Sequence, residues 1–231
     1  MKSTAGRYVF LTFLAALTFA LTLVSVNAES TFSPDSPDLS EIVAGIRDKY
    51  DGIEDLQAEF FHQAPVALTG TVLREEGTFY YRKPQRLRWE YREPKGKLLV
   101  MNPDVLWLYL PDDNKVYLQK TGEARASRMV AKFLTGEGRL EDDFIISLGE
   151  PAGDGKKCYY IDLEPREPFD GIQKITLSVD VDTFLITGYD VTDPYDTTSS
   201  YRFTDIAVNR GLPDDLFSCD PPPGVPVEKL P

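Results

Sequence analysis

Histidine and cysteine, which supply most protein metal sites and many catalytic groups, are nearly missing from this sequence. The chain has one His and two Cys in 231 residues, too few for a Cys/His metal site. It also lacks a Gly-x-Ser-x-Gly nucleophile elbow, a Gly-rich phosphate loop and a His/Glu metal helix. His62 stands beside Phe60 and Phe61 and is interpreted as structural. We therefore expect no metal, no cofactor and no enzymatic activity, and a hydrolase that uses only carboxylates stays open as an alternative.

Basic residues are also in short supply. Lys and Arg total 25 against 37 Asp and Glu, which gives a formal net charge of −12. Such an acidic surface argues against binding to nucleic acid or to anionic membranes, because both carry dense negative charge. It fits a soluble protein that stays monomeric or docks briefly on basic partners, and it fits acidity that serves solubility alone. We expect a monomer.

Long hydrophobic runs are missing except at the N-terminus. A start with two basic residues, 1–7, precedes an almost continuously apolar run over 9–26, and a Val-x-Ala site ends at Ala28. This pattern predicts a cleaved signal peptide, residues 1–28, before a single mature domain, residues 29–231. The rival interpretation is an uncleaved membrane anchor, since the run approaches the length that spans a bilayer.

The two cysteines, Cys158 and Cys219, allow one disulfide in an exported chain, because compartments outside the cytoplasm are oxidising. Their positions in the sequence do not show whether the two side chains meet. A bridge and a free pair therefore both stay open.

Aromatic residues concentrate between Glu76 and Pro111, a stretch that holds both tryptophans. Polar and apolar residues alternate there in short blocks, which are separated by turns rich in Pro, Gly and Asn. This pattern is typical of successive half-buried strands. Because side chains alternate across a strand, Leu87, Trp89 and Tyr91 face one side, and the intervening Arg and Glu residues face the other.

The rest of the chain predicts two helices among many strands. Apolar residues recur at helical spacing over 39–50, with Ser36 or Asp38 as the N-cap and Gly52 at the end. A second amphipathic helix is predicted over 123–134. About eleven strands joined by short turns must be antiparallel neighbours, and that much sheet curls on itself. We predict a mainly β fold, an incomplete antiparallel β-barrel of about eleven strands with the helices as a lid.

The aromatic face of this barrel has two interpretations. Large apolar side chains on one face of a sheet usually form a packed core. About eleven strands, however, enclose more space than side chains readily fill, which favours an apolar ligand cavity. The residue pattern alone leaves both open.

The stretch from Glu76 to Pro111 also carries a family resemblance. Residues 76–89 read E-G-x-F-Y-Y-R-K-P-x-x-L-R-W, and residues 98–111 read L-L-V-x-N-P-D-V-L-W-L-Y-L-P. Together these motifs resemble the periplasmic outer-membrane lipoprotein carrier family, LolA. IEDLQAEFFHQ resembles the first strand of that family, and TTSSYRFTDIAVNRGLPDDLFSCDPPPGV resembles its closing strands. The resemblance therefore covers nearly the whole mature chain.

The resemblance implies a periplasmic carrier with an incomplete barrel, a helical lid and an apolar cavity. Members accept the acyl chains of lipoproteins from an inner-membrane ATP-driven release complex and pass them to an outer-membrane lipoprotein receptor, without a cofactor. The sequence does not decide which face of the sheet Leu99 and Trp107 point to, since both faces of their strands are apolar. The side chains that we expect to line the cavity are Leu87, Trp89, Tyr91, Leu99, Trp107, Leu177, Val179 and Phe203.

The resemblance also implies a latch between barrel and lid at Lys83 and Pro84. In the best-known members, the residue before this proline is an Arg that resembles a latch to the lid backbone. Lys83 can donate to carbonyl groups but lacks the planar guanidinium fork. We therefore expect a looser or displaced latch, or one in which Arg82 takes the place of Lys83.

Three other functions stay open beside the lipoprotein carrier. The first is a lipid-binding or lipoprotein-sensing regulatory module of the same fold. The second is a carrier of another envelope lipid, and the third is an envelope enzyme, which the missing catalytic motifs disfavour.

Overall fold

One β-sheet accounts for most of the residues that the computed structural model describes, which are 37–66, 69–120, 139–151, 157–168, 171–218, 221 and 223–229. Within them, helices α1 and α2 span Leu39–Asp51 and Leu140–Asp143, and a 3₁₀ helix spans Asp214–Phe217. The strands are β1 (Asp55–Val66), β2 (Thr71–Arg82), β3 (Arg86–Glu93), β4 (Leu98–Met101), β5 (Val105–Leu110), β6 (Lys115–Lys120), β7 (Phe144–Leu148), β8 (Cys158–Pro165), β9 (Lys174–Asp180), β10 (Ile186–Thr192), β11 (Thr198–Val208) and β12 (Val227–Lys229). The predicted signal peptide and the predicted helix over 123–134 lie outside the described residues and stay predictions, as does the domain boundary at residue 28.

The strands follow the order β12-β6-β5-β4-β3-β2-β1-β11-β10-β9-β8-β7 across the sheet. Neighbours are antiparallel, except that β12 and β6 are parallel. In the described part of the chain, β12 and β7 do not pair with each other, so the sheet is open. This confirms the predicted fold class, with one strand more than about eleven. The additional strand β12 comes from the proline-rich end and lies at an edge, where a missing backbone N–H is tolerated.

Helix α1 forms where the sequence predicts it. The Asp38 carboxylate accepts a hydrogen bond from the Glu41 N–H at 2.9 Å, and the Glu41 carboxylate accepts one from the Asp38 N–H at 3.1 Å. This capping box satisfies N–H groups that have no partner inside the helix. Ile42, Ile46 and Tyr50 form a buried stripe along α1. Among the described residues, no helix is long and apolar enough to cross a membrane.

The register of the central strands assigns each side chain to one of two faces. Phe79 pairs with Trp89, Trp89 with Leu99, and Leu99 with Leu108. Paired residues of adjacent strands point to the same side, so these four share a face. We call it the inner face, because Trp89 belongs to the same buried cluster as the stripe of α1. The opposite side is the outer face.

The outer face has its own, smaller apolar cluster. Val100 and Trp107 pair across β4 and β5, and they are buried together with Val116 and Phe217. Phe217 belongs to the 3₁₀ helix near the C-terminus. The C-terminal segment therefore covers the outer face of this part of the sheet.

Asp55, the first residue of β1, fixes that C-terminal segment to the sheet. Its buried carboxylate accepts hydrogen bonds from the backbone N–H groups of Arg210 at 2.7 Å, Gly211 at 2.8 Å and Leu212 at 3.3 Å. Hydrogen bonds to a carboxylate are stronger than those between neutral groups. The segment that covers the outer face is thus held at its start.

Gly77, the glycine of the Glu-Gly-x-Phe motif, lies at an irregularity between β2 and β3. The register shifts between Glu76 and Gly77. A Cβ atom at Gly77 would collide with the carbonyl oxygen of Glu90 on β3. The close approach of the two strands therefore requires glycine here.

Candidate functional site

Seven of the eight side chains predicted to line a cavity lie on the inner face. The five that are buried in the same cluster as the stripe of α1 are Leu87, Trp89, Leu177, Val179 and Phe203, and the two that pack against this cluster are Tyr91 and Leu99. Trp107 lies apart from them in the outer-face cluster, because its register partner is Val100. The structure therefore brings together seven of these residues and separates the eighth.

Trp89 lies at the centre of the aromatic part of the inner face. Its ring centroid is 4.7 Å from that of Phe60, 4.6 Å from that of Phe79 and 5.9 Å from that of Phe203. Inclined aromatic pairs at such separations are favourable beyond the burial of their area. Trp89 is only 6% exposed. A ligand can therefore contact this part of the face only by displacing what covers it.

An open groove of about 870 Å³ lies between α1 and β7 at one edge of the sheet. Its volume is in the range of small-ligand sites. Its apolar lining consists of Leu39, Val43 and Ala44 from α1 and of Phe144, Ile145 and Ile146 from β7. Sequence reasoning missed this groove. Leu39 and Val43 belong to the helical apolar spacing, but no sequence pattern shows that β7 ends the sheet beside them.

Charged side chains form the rim of this groove. Arg47 Nη2 of α1 lies 2.7 Å from Glu141 Oε1 of α2, with side chains 43% and 34% exposed. Arg166 Nε donates a hydrogen bond to the backbone carbonyl of Glu141 at 2.9 Å. An ion pair this exposed contributes only about 0–1 kcal/mol. The contact between α1 and α2 is therefore weak.

Lys83, in the turn after β2, holds the other end of α1. Its Nζ donates hydrogen bonds to the backbone carbonyl oxygens of Tyr50 at 3.0 Å and Asp51 at 2.9 Å. A cation at a helix C-terminus is favourable, because the last carbonyl groups have no partner in the helix. The Tyr50 hydroxyl also accepts a hydrogen bond from the Ile186 N–H at 3.1 Å. The C-terminal end of α1 is thus tied both to this turn and to β10.

Arg82 does not take the place of Lys83. Its Nη1 donates to the Leu212 carbonyl and lies 3.0 Å from Asp214 Oδ1. Both partners belong to the segment that covers the outer face. Of the three residues predicted as a latch, only Lys83 bonds α1 in the described contacts, and Pro84 follows it in a cis peptide.

A buried polar cluster interrupts the inner face beside the aromatic residues. His62 Nδ1 lies 2.9 Å from Glu75 Oε2, and Lys97 Nζ donates to Glu75 Oε1 at 2.6 Å. His62 is 7% and Glu75 5% exposed. Sequence reasoning interpreted His62 as structural and gave Glu75 and Lys97 no role. The available signal was the alternation in β2, which turns Glu75 to the same side as Phe79.

The protonation states in this cluster follow from burial and from hydrogen bonds. Burial opposes ionisation of Glu75, but the hydrogen bonds from His62 and Lys97 outweigh it, so the pKa of Glu75 lies below its ordinary value. Burial raises the pKa of Tyr201, which stacks on His62, to about 12. Burial also raises the pKa of Tyr91. At neutral pH the cluster therefore contains an ionised Glu75 among neutral tyrosines.

Within the described residues, no group of three or more His, Cys, Asp or Glu side chains is placed to hold a metal ion. Cys158 Sγ lies 3.8 Å from Thr187 Oγ1. Cys219 is outside the described residues, so a bridge to Cys158 and a free pair both stay open.

Replacing Lys83 with Met should loosen the C-terminal end of α1, because two carbonyl groups lose a charged donor. We expect the free energy of unfolding in urea to fall by about 1–3 kcal/mol and the amide hydrogens of α1 to exchange faster. Lys95→Met, in an exposed turn, is the matched control and should change stability by less than about 0.5 kcal/mol. Equal effects of the two substitutions would contradict the assignment.

Replacing Glu75 with Gln should change how stability depends on pH. A carboxyl group whose folded pKa is depressed adds stability above its unfolded pKa, and this stability is lost as pH falls through the folded pKa. Stability of the unmodified protein should therefore decline below about 4.5, the ordinary value, and the variant should lack this component. Urea unfolding between pH 7 and pH 3 measures it. Glu76→Gln, at the half-buried neighbour outside the cluster, should keep the slope of the unmodified protein. An unchanged slope in Glu75→Gln as well would contradict the role of the cluster.

The chain is similar to known proteins over most of its length. Residues 51–220 match the family model described as outer membrane lipoprotein carrier protein LolA. The outer-membrane lipoprotein carrier protein of Methylococcus capsulatus is 29% identical over 178 residues, which cover 77% of this chain and 82% of that protein. The protein of the same name from Legionella pneumophila (strain Lens) is 27% identical over 210 residues, which cover 90% of this chain and 97% of the relative.

A solved structure supports the fold independently. An uncharacterized conserved protein from Thermus thermophilus superposes with a TM-score of 0.54 at 12% identity, covering 83% of this chain and 98% of that chain. At this identity the likeness concerns the fold alone. The match of residues 51–220 includes both sequence motifs and confirms the resemblance seen in them. This chain belongs to the outer membrane lipoprotein carrier protein LolA family.

Proposed function

We propose that this protein is a periplasmic carrier that holds the acyl chains of lipoproteins against the inner face of its sheet. The observation that carries the proposal is the large aromatic and aliphatic inner face, which includes Trp89 and packs in one cluster with the stripe of α1, in a chain of this family. Relatives at 27–29% identity bear the name outer-membrane lipoprotein carrier protein. The protein would be exported by its signal peptide, residues 1–28, and would act as a monomer without catalysis.

The proposed direction of transport is the one that the family resemblance implies. The carrier would take lipoproteins from an inner-membrane ATP-driven release complex and deliver them to an outer-membrane receptor. A carrier of this kind must bind strongly enough to keep acyl chains out of water and weakly enough to release them.

Helix α1 supplies the means of release, because its stripe covers the same surface that an acyl chain needs. Ile42, Ile46 and Tyr50 are 1–2% exposed, so opening α1 exposes apolar area. Each CH₂ group of an entering chain regains about 0.8 kcal/mol. The two contributions offset each other, and a modest net affinity results.

The contacts of α1 indicate which of its ends moves. The C-terminal end is held by the two Lys83 hydrogen bonds and by the Tyr50 hydroxyl. The N-terminal part borders the open groove and is held to α2 by the exposed Arg47–Glu141 pair. We infer that acyl chains enter through the groove between α1 and β7, while Lys83 keeps the far end of the helix in place.

Quenching of tryptophan fluorescence tests the acyl site, since the two tryptophans of the chain lie on opposite faces. A synthetic lipopeptide with brominated acyl chains should quench most of the emission of the Trp107→Phe variant, in which only Trp89 emits. The Trp89→Phe variant, in which only Trp107 emits, should keep most of its emission.

A control peptide completes this test. The same peptide without acyl chains should bind neither variant, because the apolar contact is missing. Stronger quenching of Trp107 than of Trp89, or no binding of the acylated peptide at all, would contradict the proposed function.

A further inference from the structure

We propose that the cluster of His62, Glu75 and Lys97 is a polar subsite of the inner face for the amide group of an N-acyl chain. In this proposed subsite, His62 binds as a neutral ring, and its Nε2 accepts a hydrogen bond from the amide N–H. The inference rests on the proposed function, because it assigns the place where the polar head of a bound acyl chain lies. It is carried by three observations: the two hydrogen-bond contacts of the Glu75 carboxylate, the buried nitrogen of His62, and the position of the cluster beside Trp89.

The hydrogen bonds of Glu75 determine which nitrogen of His62 carries the proton. An ionised carboxylate only accepts hydrogen bonds, and Glu75 Oε1 already accepts one from the Lys97 ammonium. Glu75 Oε2 lies 2.9 Å from His62 Nδ1, so Nδ1 is the donor. A neutral ring that donates from Nδ1 has a lone pair at Nε2.

Among the described residues, that lone pair accepts no hydrogen bond. His62 Nε2 is buried and has no hydrogen-bond partner among the described residues. A buried acceptor without a donor costs stability, and such groups are rare in folded proteins. An acyl ligand with a donor at its head would supply the missing partner when the inner face opens.

The His62 ring is fixed in orientation, as a binding group must be. It stacks on Tyr201 with centroids 4.0 Å apart and planes 8° apart. Tyr201 in turn stacks on Tyr189 at 4.5 Å. The Nδ1 contact with Glu75 fixes the rotation of the ring within this stack. The direction in which Nε2 points is thus determined before any ligand arrives.

The cluster lies where the head of a chain on the aromatic surface would be. The ring centroids of Tyr201 and Trp89 are 5.7 Å apart, and Lys97 Nζ lies 4.2 Å from the ring centroid of Tyr91. The ring centroids of Tyr91 and Phe60 are 5.0 Å apart. The Lys97 side chain is 20% exposed, so the cluster reaches the margin of the inner face. A chain along Trp89 and Phe60 therefore ends beside His62.

The chemistry of the subsite selects between two common acyl linkages. An ester offers only acceptor oxygens, which cannot bond to the lone pair of Nε2. A secondary amide offers an N–H donor of the required kind. The inner face should therefore distinguish N-acyl from O-acyl chains of equal length, which apolar contact alone does not do.

The test compares N-methyldodecanamide with methyl dodecanoate, which have the same chain and differ at the N–H. Binding of each to the purified protein is measured by calorimetry. The ratio of affinities, amide over ester, should be about 5- to 10-fold higher in the unmodified protein than in His62→Phe, which keeps an aromatic ring but has no nitrogen. Comparing ratios removes the different solvation of the two compounds.

Two controls keep the result decisive. Trp107→Phe removes another buried ring nitrogen that has no hydrogen-bond partner among the described residues. Because Trp107 lies on the outer face, this substitution should leave the amide-to-ester affinity ratio unchanged. If His62→Phe does not fold, N,N-dimethyldodecanamide replaces the variant. Without an N–H, this compound should bind the unmodified protein about 5- to 10-fold more weakly than N-methyldodecanamide.

The outcomes separate the subsite from the function on which it rests. A ratio that is the same in the unmodified protein and in His62→Phe, with both compounds bound, overturns the subsite and leaves the carrier function standing. If the unmodified protein binds neither compound, both the carrier function and the subsite are overturned.

Discussion

The alternation of side chains across β-strands is the constraint on which the rest of this structure depends. In β3, it turns Leu87 and Trp89 to the inner face and the intervening arginine to the outer face. The same rule continues through register partners across the open sheet, so that one face becomes a large apolar surface that only the cluster around His62 interrupts among the described residues. Such a surface must be covered, and the two faces are covered differently. Part of the outer face is covered by a C-terminal segment that Asp55 holds, and α1 packs against the inner face.

This difference between the covers connects the fold to the proposed function. The cover of the outer face is bonded through its backbone to a buried carboxylate. The cover of the inner face has one anchored end, at Lys83, and one end beside an open groove with an exposed ion pair. A helix held in this way can leave the surface at one end without losing its attachment. The polar cluster around His62 adds a place for the head of a chain within the same face.

Much of the fold and of the inner face could be predicted from the sequence, because local rules determine helix spacing and the alternation of side chains in strands. The cap at Asp38 and the stripe of α1 follow from spacing, and the facing of Leu87 and Trp89 follows from alternation. The facing of Trp107 could not be predicted in this way. Both faces of β5 carry apolar side chains, and the register with Val100 is set by the turn between β4 and β5.

Contacts between distant parts of the chain were beyond sequence reasoning for a different reason. The resemblance indicated a latch at Lys83, but its partners Tyr50 and Asp51 are known only once α1 is placed on the sheet. Likewise, His62, Glu75 and Lys97 belong to three separate segments, and only strand pairing brings them together. Tertiary structure alone reveals such sites.

In the proposed function, the inner face, and not the outer face, holds the acyl chains of a lipoprotein. Photo-crosslinking from two adjacent positions of β4 tests it most directly, because Leu99 packs against the inner cluster and Leu98 against the outer one. Each is replaced in turn by a photoreactive phenylalanine derivative, and the protein is irradiated with an acylated lipoprotein. We expect a crosslink from position 99 and little or none from position 98, and none with the same lipoprotein lacking its acyl chains. Equal crosslinking from both positions, or crosslinking that does not depend on acylation, would contradict it.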